Sequence, residues 1–175
     1  MANNALGAYR LGGVSDDRRA DDGFSLIELM VVVLVIAILI GLALPTFLGA
    51  RERAQDRAAQ ANVRNAMTAA MVLFADDADF STVSAATLEE IEPALDYVGE
   101  ATVVTAGSQV GFSLQAGNAR VVMVGLSESG DCFYMQTDRG NTVNTSSDQF
   151  AIRDQATGGD CRANNTGDLT WGADW

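Results

Sequence analysis

The sequence predicts an α+β protein: a long N-terminal α-helix packs on a four-stranded antiparallel β-sheet, and a disulfide staples the C-terminal region. Three observations support this fold class. An apolar run without charges, from Leu29 to Ala50, passes directly into an amphipathic segment. Four short strand-like runs separated by turn residues follow, and the only two cysteines lie at and beyond the last of them. A helix laid across one face of a small sheet is the simplest two-layer arrangement of these elements.

The first element is a helix over residues 24–75, with a transmembrane and assembly segment at 24–50. The 22 charge-free residues from Leu29 to Ala50 would extend about 33 Å as a helix, which matches a hydrocarbon core of about 30 Å. A secretory signal is shorter and ends at a cleavage site, whereas this helical pattern continues. A buried core helix is the alternative, but no second segment is apolar enough to enclose this one.

Beyond residue 50 the helix becomes amphipathic, with small or apolar residues three or four apart: Ala54, Ala58, Ala61, Val63, Met67, Ala70, Met71 and Phe74. A helix over residues 24–75 would reach about 78 Å. The residues that follow it cannot cover that length, so we expect lipid or other copies of the chain to cover its N-terminal half. Gly41 and Pro45 predict a helix kink. It is either a functional local opening of the helix or an ordinary proline kink of a transmembrane helix.

Residues 76–175 are expected to form a globular head outside the cytoplasm. Thr87 and Glu90 have capping-box spacing, which predicts a short helix that closes near Pro93. The strand-like runs are Ala101 to Ala106, Gln109 to Gln115, Ala119 to Leu126 and Cys132 to Thr137. Their joints are short and rich in Gly, Asn or Ser, so an antiparallel meander is expected. Beyond residue 138 only Gln149 to Arg153 is strand-like.

Charge excludes several classes of function. The chain carries a net charge of −12, and residues 76–175 hold four Arg against sixteen Asp and Glu. Because a head with this negative charge repels phosphates, no direct nucleic acid binding is expected. There is no His and no Lys, which weakens hydrolase and metalloenzyme interpretations. We therefore predict no enzyme, no catalytic residue, no cofactor and no metal site; calcium at Asp154, Asp160 and Asp168 is less favoured than a solvated acidic surface.

The two cysteines orient the chain better than the arginines do. Arg10, Arg18 and Arg19 precede the apolar run, but Arg51, Arg53, Arg57 and Arg64 follow it, so the positive-inside rule gives no orientation. Cys132 and Cys161 lie in the same acidic, turn-rich region, and a pair outside the cytosol favours a disulfide. Two unrelated buried thiols are the alternative. A disulfide places the head outside the cytoplasm.

One carboxylate, Glu28, stands at the head of the apolar run, and nothing ionisable follows it until Arg51. A charged side chain near the bilayer centre costs roughly 2.5–3.5 kcal/mol on insertion scales. Such a residue has a partner or a task, unless it snorkels to the interface and stays unpaired. A partner within the same chain would indicate only an anchored domain, whereas a partner on another copy would indicate assembly.

The string Gly23-Phe24-Ser25-Leu26-Ile27-Glu28-Leu29-Met30-Val31-Val32, followed by Pro45, resembles the processing and assembly motif of type IV pilins and of type II secretion pseudopilins. The resemblance covers residues 23–47. It implies a cytoplasmic leader at 1–23, which a membrane aspartyl peptidase removes by cutting between Gly23 and Phe24 before it N-methylates Phe24. The chain departs from the family at Asp21 and Asp22, where family leaders usually carry Lys or Arg.

The resemblance also implies partners and location. Glu28 would pair with the methylated amine of Phe24 on a neighbouring subunit, so that two charges that are costly alone in hydrocarbon neutralise one another. The partners are then identical subunits in a helical filament, the prepilin peptidase/N-methyltransferase, the pilus assembly platform with its ATPase, and membrane lipid before assembly. The chain would be a single-pass protein of the cytoplasmic membrane, with its N-terminus inside, and later part of an extracellular pilus.

Three functions fit this sequence. The favoured one is a structural pilin subunit of a type IV pilus, and the alternative is a pseudopilin of a type II secretion or DNA-uptake system. A single-pass anchor that presents a binding or enzymatic domain is the third. Two tryptophans near the C terminus, Trp171 and Trp175, are expected to pin the tail to the head rather than to remain exposed.

Overall fold

The computed structural model describes residues 23–140, 148–154 and 160–175 of the 175-residue chain. Residues 1–22, on which nearly all of the predicted leader falls, lie outside the described part. The chain divides into two units between Ala43 and Leu44. The first unit contains the apolar part of the long helix, and the second contains the rest of that helix and every strand of the sheet.

The long helix, α1, runs from Leu26 to Asp77, two residues later at each end than predicted. At its C-terminal end Ala78 adopts a left-handed conformation with φ of 60°. The Ala78 N–H donates to the carbonyl oxygen of Phe74 at 2.8 Å, which satisfies one of the carbonyls left free in the last turn. The polar stretch after Phe74 therefore ends the helix in an αL cap, although glycine is the usual residue at this position.

One face of α1 enters the core of the second unit, with these buried residues: Ala59, Val63, Ala66, Met67, Ala69 and Ala70. Met71 and Phe74 pack against the same core and are partly buried. Ala54, Ala58 and Ala61, which the sequence placed on this face, are exposed instead. At 3.6 residues per turn these three alanines lie roughly opposite the buried row. Because alanine is small, it fits both the buried and the exposed face of a helix, so the sequence pattern alone did not show on which face these three alanines lie.

The helix passes close to the sheet at one glycine. A Cβ on Gly125 would lie 2.8 Å from Val63 Cγ2 and 3.5 Å from the carbonyl oxygen of Ala59. Real Cβ atoms do not approach other carbons so closely, so only glycine fits this position without a shift of the helix or the strand.

The short helix α2 runs from Ala85 to Ile91 and ends before Pro93, as predicted. Its capping box was assigned to the wrong residues, because Ser84 and not Thr87 is the N-cap. The Thr87 N–H donates to Ser84 Oγ at 3.3 Å, and the Ser84 N–H donates to Thr87 Oγ1 at 2.9 Å. Thr87 thus fills the N3 position that Glu or Gln usually holds, which is why the sequence signature was shifted by one turn.

The sheet has five strands instead of the predicted four, in the order β1-β2-β3-β4-β5. They are β1 Asp96–Val98, β2 Gln109–Gln115, β3 Arg120–Leu126, β4 Asp131–Asp138 and β5 Gln149–Asp154. Strands β2 to β4 are three of the four strands predicted for the antiparallel meander, and β5, which is strand-like in sequence, continues it beside β4. The α+β class is confirmed, and β1 is an addition that pairs parallel to β2.

The predicted strand over Ala101 to Ala106 is wrong. These residues form no strand, and the Val104 N–H donates to the carbonyl oxygen of Cys161 at 2.9 Å rather than to a sheet ladder. The Val104 side chain is fully buried. A β-branched run can serve as a buried connection as well as a strand, and here it provides the crossover that a parallel β1–β2 pair requires.

Both faces of the sheet are covered, so the second unit has three layers and not the two expected. The helix side of the sheet is buried in a core that includes Met67, Leu88 and Met123. The opposite side is buried in a second core formed by Val122, Val124, Tyr134 and other residues with Val104, Cys161 and Ala163. The five central residues of β3 are therefore all buried, because alternate side chains enter the cores on the two faces of the sheet. This explains their unbroken apolar sequence.

Candidate processing and assembly site

The peptide bond between Gly23 and Phe24 lies outside the helix. Residues 23–25 have no regular secondary structure, and α1 begins at Leu26. Phe24 is 85% exposed, and nothing lies within 4 Å of the position that a Cβ on Gly23 would take. A bond in an exposed, non-helical segment is open to a peptidase. The geometry is compatible with cleavage at this position, which remains a prediction.

Ser25 and Glu28 form a capping box at the start of α1. The Glu28 N–H donates to Ser25 Oγ at 3.2 Å, and the Ser25 N–H donates to Glu28 Oε2 at 3.2 Å. The Ser25 hydroxyl also donates to Glu28 Oε2 at 3.1 Å. These bonds satisfy amides that a helix otherwise leaves free in its first turn. Ser25-x-x-Glu28 before an apolar run is the signature of such a box, and the sequence analysis assigned no cap there.

The capping box satisfies hydrogen bonds of Glu28 but does not neutralise its charge. Its donors are a neutral hydroxyl and a neutral amide. The N-terminal end of the helix dipole favours a negative side chain here, but only as a partial charge. No ion pair among the described residues includes Glu28. The Ser25–Glu28 contact is therefore a local helix start and not the internal partner that would indicate only an anchored domain, and among the described residues no cation pairs with this negative charge.

The apolar part of α1 has no cover. Every residue from 23 to 48 is exposed, including Leu29 at 61% and Leu42 at 71%. By length and composition this helix can cross a membrane. Exposed apolar surface of this extent requires another apolar surface against it, and a bilayer or other copies of the helix can provide it.

Pro45 lies inside α1, and Gly41 lies four residues before it. Because proline has no N–H, the carbonyl oxygen of Gly41 loses the amide that would bond to it in a regular helix. Nothing lies within 4 Å of the position a Cβ on Gly41 would take. The two residues predicted to kink the helix are thus the two ends of the same missing hydrogen bond, and the kink itself stays a prediction.

The predicted disulfide is present. Cys132 and Cys161 are bonded, with their Cα atoms 5.6 Å apart, and both are fully buried. Cys132 lies on β4, and Cys161 belongs to the irregular segment that covers the second face of the sheet. The bond therefore attaches that segment to the start of β4.

A buried arginine beside the disulfide holds the same segment. Arg153, opposite Cys132 in the β4–β5 ladder, is 5% exposed. It donates to Tyr134 Oη at 3.0 Å, to the carbonyl oxygen of Asn165 at 2.7 Å, and to the Asp168 carboxylate. Burial raises the pKa of the Tyr134 phenol, while the nearby Arg153 charge acts in the opposite direction. The arginine and the disulfide together fix the C-terminal segment.

The three carboxylates considered for calcium have separate roles where the structure gives their contacts. Asp168 pairs with Arg153, and Asp160 accepts from Arg162 at 2.9 Å. Within residues 23–140, 148–154 and 160–175, no three acidic, His or Cys residues form a group that could hold a metal ion. The tail therefore offers no metal-binding cluster in its described part.

Both C-terminal tryptophans pack on the head, as predicted. Trp175 contacts Phe150 edge-on at a centroid distance of 4.6 Å, and its indole N–H donates to the carbonyl oxygen of Tyr134 at 3.0 Å. Arg64 of α1 lies over the same ring at 4.5 Å, a favourable cation–π geometry. Trp171 packs against the core that contains the disulfide. The end of the chain is thus attached to both the helix and the sheet.

Comparison with known proteins agrees with this N-terminal geometry. Residues 18–44 match the family model of the prokaryotic N-terminal methylation motif. Neither curated proteins nor solved structures produced a match. The matched residues include the Gly23–Phe24 bond, the capping box and the exposed apolar helix. The motif is the signature of type IV pilins and pseudopilins, so residues 18–44 are similar to the N termini of those proteins, which supports a pilin- or pseudopilin-like precursor with a membrane-anchoring N-terminal helix.

Proposed function

We propose that this chain is the structural subunit of a type IV pilus. It enters the cytoplasmic membrane as a prepilin, is cleaved after Gly23, is N-methylated at Phe24 and polymerises into a helical filament. The observation that carries the proposal is the methylation motif over residues 18–44. A motif for processing of the N terminus indicates a structural component rather than an enzyme.

The exposed apolar helix supports polymerisation. Its side chains need an apolar cover, since residues 23–48 are all exposed. Lipid covers them before assembly, and the equivalent helices of other subunits cover them afterwards. Transfer from one apolar environment to another costs little hydrophobic free energy, so the subunit can leave the bilayer if its charged groups are also satisfied.

Glu28 supports the same step. Cleavage creates a terminal amine on Phe24, four residues before Glu28. A neighbouring copy displaced by about one helical turn, roughly 6 Å for four residues at 1.5 Å each, brings its Phe24 amine to this carboxylate. The pair neutralises two charges that are each costly in hydrocarbon. The Ser25 contacts keep the carboxylate at the helix start, where that amine arrives.

The proposal includes its partners and topology. The prepilin peptidase/N-methyltransferase acts on Gly23 and Phe24, and the assembly platform with its ATPase extracts the subunit. The N-terminus lies in the cytoplasm and residues 76–175 lie outside, which the Cys132–Cys161 disulfide supports because such bonds persist in oxidising compartments. After assembly the chain is part of an extracellular filament.

A pseudopilin of a type II secretion or DNA-uptake system is the second candidate, because pseudopilins carry the same motif. The two differ in whether long filaments leave the cell. Electron microscopy of sheared surface material, together with mass spectrometry of the N terminus, separates them. Long filaments containing this chain with methylated Phe24 at its start support the pilin. A methylated chain that stays with the cell supports the pseudopilin, and an intact leader without assembly excludes both.

A further inference from the structure

Two arginines form an exposed pair on α1, just beyond the apolar segment. Arg53 and Arg57 are both exposed and lie four residues apart, so they are neighbours on the helix surface. Like charges at this spacing repel and destabilise a helix. The pair also lies within about 15–20 residues of the apolar segment, on its C-terminal side, where an outward-facing head disfavours arginine. Because both the like-charge repulsion and the position outside the membrane disfavour these arginines, we infer that the pair has a function.

Within residues 23–140, 148–154 and 160–175, neither arginine has a charged partner. The ion pairs between described residues use Arg120, Arg139, Arg153 and Arg162, and none uses Arg53 or Arg57. Of the other two arginines of α1, Arg51 is exposed and is in none of these ion pairs either, whereas Arg64 lies over the ring of Trp175. The exposed pair therefore presents two cations to whatever contacts this part of the helix.

An acidic segment of the same chain complements this pair. Residues 76–100 contain eight Asp and Glu, and there is no Lys or Arg between Arg64 and Arg120. Six of these acids are exposed: Asp76, Asp77, Glu89, Glu90, Asp96 and Glu100. The segment starts at the last two residues of α1. One chain thus carries a cationic pair and an anionic segment on a single helix and the connection that follows it.

The start of the acidic segment, Asp76 and Asp77, cannot pair with Arg53 and Arg57 of its own chain. From Arg57 to Asp76 there are nineteen helical steps, which amount to about 28 Å at 1.5 Å per residue. Exposed charges separated by more than a Debye length of about 8–10 Å are largely screened at physiological salt. Only a second molecule can bring Asp76 and Asp77 to these arginines.

We propose that Arg53 and Arg57 of one copy bind the acidic segment that starts at Asp76 and Asp77 of another copy, in a contact that sets the axial stagger between them. The proposal rests on the proposed function, since it names a second copy as the partner. Parallel helices must shift by about 28 Å for Arg57 to meet Asp76. The Phe24–Glu28 pairing needs a shift of only about 6 Å. The two contacts therefore join each subunit to two different neighbours.

The test compares filaments from cells that lack the wild-type copy. Arg53→Glu/Arg57→Glu reverses the cationic pair, and we expect at least a tenfold loss of sheared filaments with unchanged Phe24 methylation and membrane content. Adding Asp76→Arg/Asp77→Arg to the same chain restores the opposite charges, and we expect filament yield to return to within about threefold of the wild type. Arg162→Glu is the control, because Arg162 pairs with Asp160 inside the head, and it should assemble normally.

Three results would overturn the inference. The first is normal assembly of Arg53→Glu/Arg57→Glu, and the second is a loss that the Asp76→Arg/Asp77→Arg exchange does not reverse. The third is loss of the Arg53→Glu/Arg57→Glu chain from the membrane fraction, which would assign the arginines to lipid headgroups. Each of these leaves the wild-type filament intact. If the wild-type chain itself forms no filament and carries no methylated Phe24, the proposed function fails instead.

Discussion

The two units of this chain meet opposite requirements. From Leu26 to Ala43 every side chain is exposed and only Glu28 is charged. From Leu44 to Trp175 the chain buries two cores, one on each face of its sheet, and closes them with a disulfide and a buried arginine. The first unit exposes its apolar side chains, whereas the second unit buries its own apolar side chains in two cores.

This difference locates stability and assembly in separate places. Burial of apolar surface stabilises the second unit within one molecule. The same driving force acts on the first unit only through lipid or another copy, because nothing in its own unit covers it. A substitution in a buried core of the second unit should therefore change folding, and a substitution in the exposed first unit should change assembly. Four predictions test that separation.

The largest expected effect is at Glu28. Glu28→Ala should abolish filaments, with a loss of at least a hundredfold in sheared material, because the Phe24 amine of the neighbour would enter the assembly without a counter-charge. Membrane insertion, leader cleavage and the thermal unfolding of the head should change little. Filament yield, N-terminal mass and unfolding temperature are the measurements.

Glu52→Ala is the matched control for Glu28→Ala, since Glu52 is an exposed acid on the same helix beyond the apolar segment. It should assemble normally. Normal filaments from Glu28→Ala in cells without the wild-type copy would contradict the role given to this carboxylate.

The disulfide is expected to have the largest effect on the head. Replacing both Cys132 and Cys161 with Ala releases a loop of sequence separation 29 and should lower the free energy of unfolding by about 2–4 kcal/mol. Chemical denaturation of the detergent-solubilised chain measures this. Membrane insertion of the helix should be unaffected. An unchanged denaturation midpoint would show that Arg153 and the packing around it hold the tail without the bond.

Gly125→Ala should destabilise the second unit by about 1–3 kcal/mol. The added Cβ would lie 2.8 Å from Val63 Cγ2, so the helix or the strand must shift. Gly99→Ala is the control, because nothing lies within 4 Å of a Cβ there and its φ is not positive. Denaturant midpoints of the two variants should differ clearly, and equal midpoints would mean that α1 is not closely packed on β3.

Two aspartates should give small effects of opposite sign. Hydrogen bonds from Arg120 hold the pKa of Asp138 below its ordinary value of 3.8, so ionised Asp138 stabilises the fold above that pH, and the contribution is lost as the pH falls through the lowered pKa. Burial, with Asp56 and Asp154 nearby, raises the pKa of Asp131 above 3.8. Ionised Asp131 therefore destabilises the fold once the pH rises through the raised pKa, and the penalty is absent below about 3.8.

At pH 7 the unfolding temperature should fall for Asp138→Asn and rise for Asp131→Asn, and both differences should shrink toward zero as the pH approaches 3. Thermal unfolding followed by circular dichroism between pH 3 and 8 measures both. Shifts of the same sign at pH 7 would contradict the assigned causes.

The sequence predicted the regular elements well where one strong pattern decided them. The α1 bounds, three strands of the meander and the disulfide follow from apolar run length, alternation and the count of cysteines. Capping was predicted poorly, because several residues near a helix start can form the box. Thr87 was assigned as an N-cap when it is the N3 partner of Ser84, and the Ser25–Glu28 box was not assigned at all.

The candidate site divided in the same way. Gly23, Phe24 and Glu28 were found from sequence because their motif is contiguous and its chemistry is local. Arg53 and Arg57 carry no local signature. Their lack of a charged partner among the described residues, and the distance that separates them from Asp76 and Asp77, become visible only once the helix and its contacts are known.

The sequence by itself determined that this chain has a membrane-length helix, an N-terminal methylation motif and an acidic head of alternating strands. Those properties depend on residues that are adjacent or one period apart, so no distant contact is needed to establish them. Only the tertiary structure decided that Val104 supports a parallel crossover, that the sheet is buried on both faces, and which side of α1 enters the core. These depend on contacts between residues distant in sequence, such as Val104 with Cys161 and Val63 with Gly125, whose free energy local patterns do not contain.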